Sequence, residues 1–175
     1  NALEDGLEKI SDEGLVKKAG DLRTRLSSGA SRESILVEAF AVAREATWRV
    51  LSMRHYDVQL MGGMALHDGR LAEMVTGEGK TLVALLPVFL NALSGEPAFV
   101  ITTSDYLARR DAEWIGQSHK FLGLSCGLIQ AGMSEEEQLA WAMRESLRDV
   151  GTQLPPRASL RDVGTQLPPP SPQPP

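Results

Sequence analysis

The sequence predicts an α/β fold in which leading helices run into part of a parallel-sheet domain built on a phosphate-binding loop, followed by a disordered tail. Three observations predict it. Thr76-Gly77-Glu78-Gly79-Lys80-Thr81 places two glycines, a lysine and a hydroxyl between a short apolar run and a longer helix-like one. Beyond it, short apolar runs alternate with helical stretches, as in βαβ units. After Met143 a 13-residue segment is nearly duplicated and gives way to proline.

From the start of the chain, Leu3, Leu7, Ile10, Leu15, Val16, Ala19, Leu22 and Leu26 fall at helical spacings interrupted near Ser11, which predicts two short helices. Ser31 to Met53 carries Ile35, Ala39, Val42, Ala46 and Val50 on one face of a third. Arg32, Glu33, Arg44, Glu45 and Arg49 lie largely off that face and are expected to be solvated. Leu71 to Val75 is the first expected strand, and Leu82 to Leu93, with Pro87 inside it, a buried helix. Ala98 to Thr102 is the next strand, Asp105 to Phe121 a helix and Ser125 to Ile129 a strand. Glu135 to Met143 is the last helix, opened by a Ser134/Glu137 capping box.

The glycine loop carries the chemistry. A turn feeding a helix aims backbone N–H groups and the positive end of the helix dipole at one point, where an anion binds. Lys80 is placed to reach the β- and γ-phosphates of a nucleotide, and the Thr81 hydroxyl to coordinate Mg2+. Gly77 and Gly79 let the backbone approach, and Glu78 sits within the loop without a catalytic role. The loop departs from the common G-x-x-x-x-G-K-[ST] pattern, because Met74 stands where the first glycine belongs. It follows a helicase-like variant instead.

Composition narrows the class. The net charge is −5 and the pI about 5.2, so no basic face for nucleic acid is evident. Cys126 is the sole cysteine, expected in a buried strand within a reducing compartment. No stretch approaches the roughly 20 apolar residues of a membrane span. His55, His67 and His119 have no companion at metal-ligand spacing. The chain opens on Asn1 with no basic, apolar leader, so its natural start is expected upstream.

Several further segments carry a family resemblance. Arg54-His55-Tyr56-Asp57-Val58-Gln59-Leu60, Gly62-Gly63, Leu66-His67, Ala72-Glu73-Met74 and the glycine loop, followed by Leu85 to Leu93, Thr103 to Trp114 and Phe121 to Leu124, closely resemble the motor of the SecA family of preprotein translocase ATPases. Asn1 to Glu4, Leu26 with Gly29, and Glu38 to Ala46 resemble the helical segment before that motor. The likeness runs collinearly from Asn1 to about Trp141. It implies a helical segment over 1–52 and the first half of a RecA-like nucleotide-binding domain over 53–143. The duplicated, proline-rich 144–175 has no counterpart there. Its prolines oppose a packed element, and a translated non-coding repeat would account for it.

The resemblance implies ATP and Mg2+ as cofactors, with Gln59 reading the adenine edge, since one amide both donates and accepts. Arg54 and Tyr56 would flank the base. Asp105, Arg109, Arg110 and Asp111 are expected to form ion pairs on a helix surface. The implied partners are a SecY-type channel and unfolded preproteins, with peripheral membrane association, a possible homodimer of the parent protein and no nucleic acid. The implied compartment is the bacterial cytoplasm at the inner membrane or the plastid stroma at the thylakoid, with the tail pointing towards a plastid. Hydrolysis by such a motor needs an Asp-Glu pair at a strand end and an arginine finger from a second motor domain. The one Asp-Glu here is Asp12-Glu13, so this stretch alone is expected not to hydrolyse ATP usefully. Two other classes stay open: a superfamily-two nucleic-acid helicase fragment, and a non-catalytic interaction protein using the proline-rich tail.

Overall fold

The computed structural model describes residues 1–137, and in them the chain folds as seven helices around one buried apolar cluster. The first three are α1 (Glu4–Glu8), α2 (Asp12–Ser27) and α3 (Arg32–Leu51). Each of the longer two starts on a serine whose hydroxyl takes an orphan N–H of the first turn: Ser11 accepts from Gly14 and Ser31 from Ser34, both at 3.2 Å. Helix α3 ends at Ser52, the one described non-glycine residue with positive φ, and the chain turns there towards the site.

Next come α4 (Asp57–His67), α5 (Lys80–Ala92), α6 (Asp105–Trp114) and α7 (Gly116–Phe121). Helix α3 is the centre of the packing, touching α1, α2, α5 and α7. Ile35, Ala39, Phe40 and Ala43 meet Leu85, Leu86, Phe89 and Leu90 of α5 within the same buried cluster. Each large side chain so buried contributes about 1.5–3 kcal/mol. Pro87 lies inside α5 and removes one helical N–H, an irregularity that burial offsets.

Helix α4 packs closely on α5 and meets the Phe40 ring of α3 because of a glycine pair. A Cβ on Gly63 would stand 3.1 Å from Leu86 of α5 and 3.1 Å from Phe40 of α3. One on Gly62 would stand 3.1 Å from Val83 and 3.3 Å from the Met74 sulfur. The pair gives up helix propensity to bring backbones together.

The expected parallel-sheet α/β domain is not what the described residues form. No strand occurs among them: 71–75, 98–102 and 125–129 are irregular, and no backbone hydrogen bond joins one of these segments to another. A short apolar run becomes a strand only when a neighbouring backbone takes its N–H and C=O groups. Leu71 and Ile101 are instead each 93% exposed. Cys126, expected in a strand, is half-buried in an irregular segment, with its sulfur where a Cβ on Gly116 would come.

The charges of α3 also differ from expectation. Arg44 and Glu45 are buried, and the Arg49 side chain is 6% exposed. Arg49 donates to Glu45 at 2.6 Å, to Asp12 at 2.8 Å and to the Leu7 carbonyl at 2.8 Å, which fastens α1 and α2 to α3. The apolar stripe was visible locally, but the chain that returns over the opposite face was not. The Ser134/Glu137 capping box is present in both directions, at 2.8 and 3.2 Å. The remainder of the expected last helix and the 144–175 tail lie outside the described residues.

Gly63→Val should lower stability by about 1–3 kcal/mol through overpacking at the α3/α4/α5 crossing, measured by urea unfolding. An unchanged midpoint would contradict the close crossing.

Candidate functional site

The loop between α4 and α5 is built by two glycines and one glutamine. Gly77 has φ +92° and Gly79 φ +77°, values that L side chains rarely adopt. The Glu78 N–H donates to the Val75 carbonyl at 3.3 Å, and the Glu78 carboxylate accepts from the Val75 N–H at 3.1 Å, so the turn closes on itself. Glu78 therefore shapes the loop. Gly79 stands at the N-cap of α5, where a Cβ would lie 2.5 Å from Gln59 Nε2.

Gln59 explains that close approach. It is 3% exposed, its Oε1 accepts from the Tyr56 N–H at 2.9 Å, and its Nε2 donates to the Glu78 carbonyl at 2.8 Å. One amide thus caps the start of α4 and ties down the crest of the glycine loop. Its donor and acceptor are both turned inward on the protein. Reading a nucleobase with Gln59 requires one of these bonds to be exchanged.

Lys80 is exposed and its Nζ donates to the Val75 carbonyl at 3.1 Å, folded back over the loop. Thr81 Oγ1 accepts from Arg110 Nη2 at 3.4 Å. Leu82 and Val83 donate their N–H groups to the Gly79 carbonyl at 2.9 and 3.3 Å, so the first-turn amides left without a carbonyl four residues back in α5 are those of Lys80 and Thr81. An exposed cation, first-turn amides and two positive-φ glycines form a cradle that fits phosphate. Thr81 fits an Mg2+ ligand in chemistry, because its hydroxyl retains a lone pair beside Arg110. Among the described residues no group of three His, Cys, Asp or Glu side chains could hold a metal ion by itself.

Behind the loop stands a buried polar network that the sequence did not reveal. Arg44 Nε donates to the His55 carbonyl at 2.9 Å, Nη1 to Asn1 Oδ1 at 2.7 Å and Nη2 to Asp57 Oδ1 at 3.2 Å. His55 is fully buried, and its Nε2 meets the Leu82 carbonyl of α5 at 2.9 Å. A carbonyl only accepts, so Nε2 carries a proton. His119 makes the same kind of contact with the Leu85 carbonyl at 3.2 Å. Burial depresses the His55 pKa to about 4, a fall that the Leu82 bond opposes and the Arg44 charge assists. Burial lowers His119 as well.

The other expected site residues separate. Arg54 pairs with Glu4 on α1, holding that carboxyl below its usual range, and Tyr56 is exposed. Arg109 donates to Gln130 at 2.7 Å and the Asp105 carboxylate accepts from the Ala131 N–H at 3.0 Å, which ties α6 to the segment beyond α7. Arg110 pairs with Asp111 at 2.6 Å and alone among these charges reaches the glycine loop. A cavity of about 360 Å³ lies between α1 and α3, lined by Leu3, Leu7, Phe40 and Trp48, and no residue of the glycine loop lines it.

A helical frame carrying an anion-fitting glycine loop at a helix start is the architecture of a nucleotide-binding module. Comparison with known proteins identifies the lineage: the chain belongs to the SecA DEAD-like domain family, whose model matches residues 1–142. It is 62% identical over 138 residues to the chloroplastic protein translocase subunit SecA of Ostreococcus lucimarinus, covering 79% of this chain and 15% of that protein. The protein translocase subunit SecA of Synechococcus elongatus is 60% identical over 146 residues, with 79% and 15% covered. SecA 1 of Mycolicibacterium smegmatis is 57% identical over 140 residues, with 80% and 15% covered. The chain therefore spans about 15% of the length of these curated relatives. No described helix is long and apolar enough to cross a membrane.

The two buried histidines set a pH dependence. A native pKa near 4 against an ordinary 6.5 means that the unfolded chain binds protons first. Stability is then full above about pH 6.5 and falls as the pH drops towards 4, by on the order of 3 kcal/mol for His55. Urea midpoints should fall between pH 7.5 and 4.5, and His55→Gln should flatten part of that slope. A slope unchanged by the substitution would contradict a neutral buried His55.

Proposed function

We propose that this chain is the ATP-binding part of a protein translocase motor that drives unfolded preproteins through a SecY-type channel, using ATP with Mg2+. The observation that carries the proposal is the Gly77-to-Thr81 cradle at the start of α5, in a chain whose relatives are named protein translocase subunits. Gly77 and Gly79 would admit the phosphates to the backbone, and Lys80 would leave the Val75 carbonyl to meet them. Thr81 would hold the metal. Mg2+ would supply charge neutralisation to the outer phosphates.

Gln59 would read adenine only by releasing Glu78 or Tyr56, so base recognition and loop shape are coupled through one amide. Glu78 would serve by holding the turn. We further propose the division into a helical segment over 1–52 and a nucleotide-binding segment over 53–143, with its boundary at the Ser52 corner. Membrane association would be peripheral, and the setting a plastid stroma or a bacterial cytoplasm, since relatives of both origins are similar to the chain. Homodimerisation would belong to the whole protein. A nucleic-acid helicase is the weaker account, because the net charge is −5 and the relatives quoted are translocase subunits.

Calorimetric titration of the chain with MgATP tests the site. Lys80→Ala should weaken binding about tenfold or more, from the loss of a charged phosphate contact. Equal affinities of the altered and unaltered chains would remove Lys80 from the site.

A further inference from the structure

Arg110, which lies outside α5 and its loop, hydrogen-bonds to the Thr81 hydroxyl. It stands on α6, reached through the 12 residues between α5 and α6, so its arrival beside the loop is a product of the fold. Asp111 holds it, accepting on Oδ1 from Nε at 2.9 Å and from Nη2 at 2.6 Å. That leaves Nη1 with no protein partner among the described residues. The side chain is 38% exposed, so a ligand in the cradle can reach it. Arg109, one residue earlier, is spent on Gln130.

A guanidinium anchored at one edge and open at the other is suited to a phosphate oxygen, which accepts from its planar fork. Its position says which phosphate. Lys80 covers the loop itself, whereas Arg110 approaches the Thr81 end from α6, where Thr81 would hold the metal that supplies charge neutralisation to the outer phosphates. We propose that Arg110 is a terminal-phosphate contact, supplied by α6 and steered by Asp111, that makes the cradle prefer a nucleoside triphosphate to a diphosphate. The proposal rests on the nucleotide-site assignment above. It adds a specificity-determining residue to that site.

Loop amide shifts of Gly77, Gly79 and Thr81, followed by NMR in the full 175-residue chain, report binding even at millimolar affinity. ATP and ADP, each with Mg2+, are the probes. Arg110→Ala should weaken ATP about tenfold and ADP less than about twofold, the loss expected for one charge-assisted hydrogen bond. Arg110→Lys should restore part of the ATP affinity, and Arg109→Ala should change neither ligand more than about twofold. Equal weakening of ATP and ADP by Arg110→Ala, or none of either, overturns the assignment to Arg110 while leaving the nucleotide site standing. The same selective loss in Arg109→Ala would reduce the effect to net charge and also overturn it. If neither nucleotide moves the loop amides of the unaltered chain while Lys80→Ala behaves identically, the nucleotide site itself fails and Arg110 loses its role with it.

Discussion

The two hydrogen bonds of the Gln59 amide are the constraint on which the site depends. A glycine loop has little stiffness of its own, since its residues lose much conformational freedom on ordering and bury almost nothing. Here one buried side chain links the start of α4 to the crest of the loop, and the Gly79 position has room for that amide only because it lacks a Cβ. The loop's own contribution is the turn closed by Glu78 on Val75. Without Gln59 that turn would be joined to the helical frame chiefly through its two ends.

What fixes Gln59 is the corner before it. Ser52 turns the chain out of α3, and His55 and Asp57 bring it back under the Arg44 guanidinium. A buried arginine is costly unless its donors are met, and Arg44 meets acceptors on three separate segments: the chain start, the His55 backbone and the first turn of α4. His55 then passes the constraint to α5 through the Leu82 carbonyl, one residue beyond Thr81. The leading helices are thus part of the site's scaffold. The path runs from Asn1 through Arg44 to both helices that flank the glycine loop.

The sequence showed those parts of this arrangement that are local. The helix starts expected near Ser11, at Ser31 and at Asp105 are present, each with a serine hydroxyl, of Ser11, Ser31 and Ser104, that accepts an N–H three residues on. The stripe Ile35, Ala39, Val42, Ala46 is core, and the glycine loop opens α5 as its residues require. The non-local parts were hidden. Arg44, Glu45 and Arg49 look solvated beside one stripe, and only the chain returning over α3 buries them. The three short apolar runs carried strand-like composition but find no neighbouring backbone among the described residues. Helix α4 was masked by Gly62 and Gly63, which oppose helix formation locally yet permit its crossing with α3 and α5. Gln59 was found by family resemblance as a base reader; its three-residue spacing from Tyr56, that of a capping box, was the local sign of its bracing role.

Amide hydrogen exchange in Gln59→Ala tests the bracing of the loop most directly. Loss of the brace should speed exchange at Glu78 through Val83 about tenfold or more relative to the unaltered chain, while α2 amides keep their protection, because the loop would open locally without unfolding the helical frame. Protection at Glu78 through Val83 that is unchanged, or that falls equally with α2, would contradict the account: the first would mean that Gln59 does not hold the loop, the second that it serves only the fold as a whole.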